Sequence, residues 1–90
     1  MYSFEIKPEL KKKLDKLQKK DIIQLKAIRN KIAEVILNPD HYKNLKYGLK
    51  KYKSVHVVKS FVLTFHVSEQ DKVVEFVDYD HHDKIYLRRD

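Results

Sequence analysis

The chain has no cysteine, one glycine and two prolines among its 90 residues. Without cysteine, neither a disulfide nor a cysteine-ligated zinc can form, which suits a reducing cytosol. No stretch approaches the ~20 consecutive apolar residues of a membrane span. The start, MYSFEIKPELKKK, also lacks the apolar run of a signal peptide, so a cytoplasmic protein without a membrane role is expected. No internal repeat, low-complexity tract or linker divides the chain, and residues 1–90 are expected to form one domain. An apolar fraction of 42% is enough for a folded core and too high for disorder.

What is abundant is positive charge. Twenty Lys and Arg stand against thirteen Asp and Glu, a net charge of +7, with a pI near 9.5. Such a field attracts polyanions: nucleic acid, ribosome, anionic lipid or an acidic protein. A lysine-rich proteome coating every surface with Lys and Glu produces the same total.

Residues 2–6, YSFEI, alternate polar and apolar side chains and read as a short strand. Pro8 suits a first helical turn, and Leu10, Leu14 and Leu17 follow at i, i+4, i+7 along one stripe. Lys19 and Lys20 favour a helix C-terminus, and Asp21 can cap a second helix. From Ile22 to Leu37 the apolar Leu25, Ile28, Ile32, Val35 and Ile36 share a face, until Asn38-Pro39-Asp40 stops the helix. So short a turn between helices predicts an antiparallel αα-hairpin.

The period then changes to two. Residues 41–53, HYKNLKYGLKKYK, form a basic loop with five lysines, three tyrosines and the only glycine. VHVV (55–58) and FVLTFHV (61–67), separated by Lys59-Ser60, predict a tight hairpin. Val73 to Tyr79 predicts a further strand, and Ile85, Tyr86 and Leu87 read as one more short extended piece. The expected fold class is α+β: an N-terminal strand, an antiparallel helical hairpin, then a three- to four-stranded antiparallel sheet meander. The hairpin would cover one sheet face. The other, open to solvent, would carry Ser54, His56, Thr64 and His66 beside the basic loop and the 78–86 segment.

That segment, DYDHHDKIY, admits three chemistries: metal ligands, an acid/base pair, or the polar end of a strand. On an extended chain His81 and His82 point to opposite sides and cannot share an ion, and no H-x-x-x-H pattern supports them, so no metal site and no cofactor is expected. Acid/base work is better motivated, because histidine titrates near neutrality. His56 and His66 on the open face, joined by His81 or His82, could supply it; half-buried histidines with ordinary hydrogen bonds remain the plain alternative. The loop interleaves Lys43, Lys46, Lys50, Lys51 and Lys53 with Tyr42, Tyr47 and Tyr52, and so could hold phosphates and stack bases.

Order and spacing together resemble the RelE/ParE superfamily of bacterial and archaeal toxins. NLKYGLKKYKSVHVVKSFVLTFHV is similar to the family's leucine and glycine loop followed by (R/K)-S-(V/I)-R-(V/I) and (Y/F)-R-(L/V)-x-(F/Y). VVEFVDYDHHDKIY is similar to its closing strand and G-H-R-(D/E)-x-(V/I)-Y signature. The resemblance implies a ribosome-dependent mRNA endoribonuclease, held inactive by a RelB-type antitoxin. There the ribose 2′-OH attacks the adjacent phosphate without a metal.

By that resemblance His56 falls on a basic position of the second strand, with Lys53 just before it. His82 falls on the basic residue of the C-terminal signature, and Tyr86 on the tyrosine that stacks on a nucleotide or assists proton transfer. His81 matches the signature histidine, whereas Asp80 replaces its glycine. Val62 stands where the family usually has the arginine that neutralises the scissile phosphate. Lys46, Lys50, Lys53, Lys59, Arg88 and Arg89 are then the candidates for holding RNA and supplying that charge. Two other functions stay open: a ParE-like or weakened member that binds a non-RNA target, and a small ribosome- or RNA-binding protein.

Overall fold

Strand β1 (Ser3–Ile6) leads directly into helix α1 (Pro8–Lys20), with Pro8 in the first turn as expected. Helix α2 (Ile22–Leu37) follows after a single residue. Asp21 makes that junction possible. Its backbone N–H donates to Leu17 O at 2.7 Å and closes α1, while its side chain accepts from Gln24 N at 3.0 Å and caps α2. Asn38 leaves the helical region before Pro39, and a 3₁₀ turn covers Pro39–His41. The remaining elements are β2 (Lys53–His56), β3 (Phe61–Ser68), β4 (Val73–His81) and α3 (His82–Leu87). This computed structural model describes residues 2–45 and 51–87, with the backbone alone at Tyr86 and Leu87. Lys46, Tyr47, Lys50, Arg88, Arg89 and the side chain of Tyr86 therefore lie outside the described residues.

The sheet order is β1-β4-β3-β2. Strands β2, β3 and β4 form the expected antiparallel meander, and β1 adds to β4 in parallel, pairing Ser3 with Val73 through Ile6 with Phe76. The two helices cover one face. Leu10, Ile28, Ile32 and Val35 pack on Leu63, Phe65, Val74, Phe76 and Tyr79, so the apolar stripes predicted for both helices do meet the sheet.

One irregularity decides what the other face carries. Thr64 pairs with Asp78 but Phe65 pairs with Phe76, leaving Val77 as an extra residue in β4. Strict alternation from Val74 and Phe76 would send Asp78 and Asp80 into the core. The bulge resets the count: Tyr79, opposite Leu63, faces the helices, while Asp78 and Asp80 face away opposite Thr64 and Val62.

Two expectations need correction. The 85–87 piece is helical, not extended: α3 packs against β3 and β4 and buries Ile85, three residues after His82 and so on the same side of the turn. Tertiary burial here overrides the strand preference of Ile-Tyr. Nor is the second face fully open, since Val62, Thr64 and Asp78 on it are all buried. Among the described residues no helix is long and apolar enough to cross a membrane.

Candidate active site

The histidines meet in two ring pairs, His56 with His82 and His81 with His82, at the end of the sheet where α3 packs against β3 and β4. His56 ends β2, His81 ends β4 and His82 begins α3. The β2–β3 turn brings them together. Val57 N donates to Phe61 O at 3.1 Å and Phe61 N to Val58 O at 2.8 Å, with Lys59 at φ 48°, a left-handed value that costs a residue bearing a Cβ ~1–2 kcal/mol. His82 N then donates to Ser60 O at 2.7 Å and anchors α3 on that turn. The His56 and His82 ring centroids stand 6.4 Å apart, with their planes 37° from parallel.

His81 does not diverge from His82 as an extended chain would require. The strand ends at His81 and the helix starts at His82, so both rings turn toward Asp83. Its carboxylate lies 3.0 Å from His82 Nδ1 and 3.7 Å from His81 Nδ1. Asp83 N also donates to His81 Nδ1 at 3.2 Å, and Phe61 meets the His81 ring edge-on at 5.8 Å. Both histidines are roughly half exposed and His56 is exposed, so the corner is open to a ligand.

Beneath it lies an ion cluster. Lys13 of α1 passes the edge of β4 beyond the reach of β1 and donates to Asp78 Oδ1 at 2.7 Å, Tyr79 O at 3.0 Å and Asp80 Oδ2 at 3.2 Å. Burial works to raise the Asp80 carboxyl, but the His81 N–H and the Lys13 ammonium outweigh it and hold the group below its ordinary value. The Asp80 carboxylate is thereby partly offset by an ammonium that it shares with Asp78. Lys13 was missed in the sequence reading, although it follows Leu10 by three positions and so borders the apolar stripe.

The other expected residues are dispersed. Lys53, opposite Phe65 in the ladder, shares the helix side of the sheet; its ammonium donates to Tyr42 O and Asn44 Oδ1, both at 2.9 Å. Lys59 is exposed on the turn beside the histidines. His66 points to the site face, but it is engaged elsewhere: its Nδ1 lies 3.2 Å from Glu75 Oε1, and its ring meets Tyr52 at 6.4 Å. Lys7, 3.0 Å away, and then His66 hold the Glu75 carboxyl below its usual range. Val62, at 0% exposure, lies between His56 and Asp80 in the ladders. Lys51 reaches over the Tyr52 ring, 5.3 Å from its centroid.

Relatives bear on what this corner belongs to. No protein-family model matches the chain. It is 54% identical over 89 residues to a Methanocaldococcus jannaschii protein named "Putative toxin RelE4", covering 99% of this chain and 95% of that one. Among solved structures, the YoeB/ParE toxin from Agrobacterium tumefaciens superposes with a TM-score of 0.79 at 15% identity, over 89% of this chain and 98% of that one. The RelBE2 toxin–antitoxin complex of Mycobacterium tuberculosis gives 0.76 at 18%, over 89% and 96%. The two structures share the fold; the identity to the archaeal protein carries the kinship. The chain belongs to the RelE-like superfamily of toxins of toxin–antitoxin systems.

Proposed function

We propose that this chain is a ribosome-dependent mRNA endoribonuclease working in the cytoplasm without a metal, with its site at the histidine corner. The observation that carries the reading is the His56–His82 pair, two imidazoles 6.4 Å apart on an accessible surface. In this reaction one group takes the proton of the ribose 2′-OH as its oxygen attacks the adjacent phosphorus, and another delivers a proton to the departing 5′-oxygen. Two imidazoles at such a separation can each serve one of those oxygens.

Lys59 stands on the turn beside the pair, and Lys46, Lys50, Arg88 and Arg89 are the further basic candidates by sequence. They supply the cations that hold RNA and offset phosphorane charge, while Tyr86 of the same helix stacks on a base or assists proton transfer. Lys53, committed to Tyr42 O and Asn44 Oδ1, ties β2 to the 42–44 stretch. Purified protein and programmed ribosomes, kept in the magnesium the ribosome needs and with no other metal added, are expected to yield cut mRNA. Cleavage no greater than that of the His56→Ala, His82→Ala, Tyr86→Ala variant would overturn the enzymatic reading.

The cognate partner is a RelB-type antitoxin. In support, RelBE2 of M. tuberculosis and YoeB-YefM of Staphylococcus aureus are complexes on the same fold. An apolar groove of about 610 Å³ between α1, α2 and β1, lined by Phe4, Leu14, Leu25, Ile32, Ala33 and Ile36, offers an amphipathic segment a seat. One observation favours a second reading, a binding-only member of the superfamily: Val62 in the arginine's position. A chain that arrests growth without cutting ribosome-bound mRNA would support it.

A further inference from the structure

The same corner has a second chemistry. His81, His82 and Asp83 each offer one ligating atom, and the three atoms lie within 4.8 Å of one another. Donor atoms around a tetrahedral ion with bonds of ~2.0–2.1 Å sit roughly 3.3 Å apart. The histidine–carboxylate separations are of that order, 3.0 Å from His82 Nδ1 to Asp83 Oδ1 and 3.7 Å from His81 Nδ1 to Asp83 Oδ2, each imidazole meeting its own oxygen of the carboxylate. Closing the three donors onto one ion needs rotation of the rings about their terminal torsions, which are soft, and exchange of the Asp83 N–H bond at His81 Nδ1 for the metal. Two imidazoles and one carboxylate suit zinc, nickel or copper, and they discriminate against magnesium and calcium, which prefer oxygen donors.

Nearby charge is mixed: Lys59 on the turn and Lys84 next to Asp83 are exposed and solvated, which weakens their repulsion of a bound cation. Lys13 is already engaged with Asp78, Tyr79 O and Asp80, on the strand before the histidines. Asp83 brings a negative charge to both rings, and no lysine ion pair holds it among the described residues. Three protein ligands would leave a fourth position for water.

We propose that His81, His82 and Asp83 bind a divalent transition-metal ion of the zinc class, and that occupancy silences the RNA-cleaving site. The second half rests on the nuclease reading: metal bound to His82 holds the imidazole that would otherwise move a proton. Zinc would then act as an inhibitor, and metal-free cleavage and metal binding are alternative states of one corner.

The test uses the untagged full chain and Co²⁺, whose visible absorption reports few-coordinate nitrogen and oxygen ligation, with Zn²⁺ displacing it. Wild type should bind one equivalent, and Mg²⁺ should not compete. His81→Ala and Asp83→Asn should each weaken binding by more than the ~10–100-fold that loss of an outer ligand-supporting contact costs. His66→Ala, at the separate His66–Glu75 pair, should bind as wild type does. Thermal unfolding of each variant distinguishes loss of a ligand from loss of the fold. Binding that survives both the His81 and Asp83 changes in folded protein, or that disappears with His66, overturns the site.

In ribosome cleavage assays, Zn²⁺ should inhibit wild type, and Asp83→Asn, scaled to its own metal-free rate, should need at least ~10-fold more Zn²⁺ for the same fractional inhibition. Zinc bound without inhibition overturns the regulatory half alone. Absence of any cleavage counts against the nuclease reading and against silencing, and leaves the Co²⁺ result standing for the site.

Discussion

Replacing Lys13 by methionine keeps the apolar stem and deletes the ammonium that joins α1 to β4. Three contacts end: 2.7 Å to Asp78, 3.0 Å to Tyr79 O and 3.2 Å to Asp80. Removing one partner of a fully buried pair costs ~3–5 kcal/mol, because the other charge stays desolvated, whereas exposed pairs are worth ~0–1. The Asp78 side chain is only 9% exposed but Lys13 is 38% exposed, so the cost belongs between those limits, at about 2 kcal/mol. For a chain of this size that is a fall in Tm of about 8–16 °C.

The cycle with Asp78→Asn checks the cause. If the penalty comes from a stranded carboxylate, the double variant should recover at least ~1 kcal/mol relative to additivity. Acid should narrow the gap as well. The Asp80 carboxyl titrates below its ordinary value in the fold, so its share of stability is present above the unfolded value of ~3.9. That share is lost as pH falls through the folded value, and the wild-type and Lys13→Met curves should converge there. Urea unfolding followed by tyrosine fluorescence is the assay, in a chain without tryptophan. A Lys13→Met protein melting within about 2 °C of wild type, or strict additivity with Asp78→Asn, would refute the account, since either is far below the effect worked out above.

Val62→Arg, which would restore the family's usual arginine, should destabilise the fold by ~2–5 kcal/mol rather than sharpen cleavage, because the position is fully buried; thermal melting decides it, and an unchanged Tm sinks the claim. Burial pushes the Tyr79 hydroxyl up to about 12, helped by the charge of Asp21 and opposed by the hydrogen bond from Gln24. An unfolded tyrosine titrates near ~10, so the unfolded chain releases this proton first; stability is intact below ~10 and should fall by up to roughly 2 kcal/mol toward pH ~12. Phenolate absorbance of Tyr79→Phe should lack the most alkaline step; its persistence would reassign the shift to another tyrosine.

Helices α1 and α2 were legible because their signals are local: Pro8, the leucine stripe, the Asp21 cap and Asn38-Pro39 act within a turn or two of themselves. The meander was legible for the same reason, through short polar turns between β-rich runs. What escaped depends on partners distant in sequence. The Val77 bulge exists only relative to β3, and alternation alone would have assigned Asp78 to the wrong face. Helix α3 forms where Ile85 finds cover on β3 and β4. His56 and His82 could be named as candidates, but their proximity rests on the Ser60 carbonyl that anchors the helix. Lys53, a candidate for holding RNA by resemblance, takes a place in the ladder that turns it to the face opposite His56, which only the register reveals.

These features also account for the substitution of valine for the expected arginine. An arginine at position 62 needs a solvent path for its guanidinium, or an acidic partner able to meet it under cover. Here α3 lies against β3, and Asp80, the cross-strand neighbour of Val62, is already held by Lys13. The space for a buried arginine does not remain, since Val62 is fully buried, and a compact apolar residue fills the position. The phosphate-neutralising charge of the proposed reaction must then approach from the rim, where Lys59 is exposed on the turn. Rim cations sit in high dielectric and are screened by salt, whereas a buried guanidinium is not. Cleavage by this chain should accordingly fall steeply with ionic strength, and a salt-insensitive rate would place the stabilising charge somewhere other than that rim.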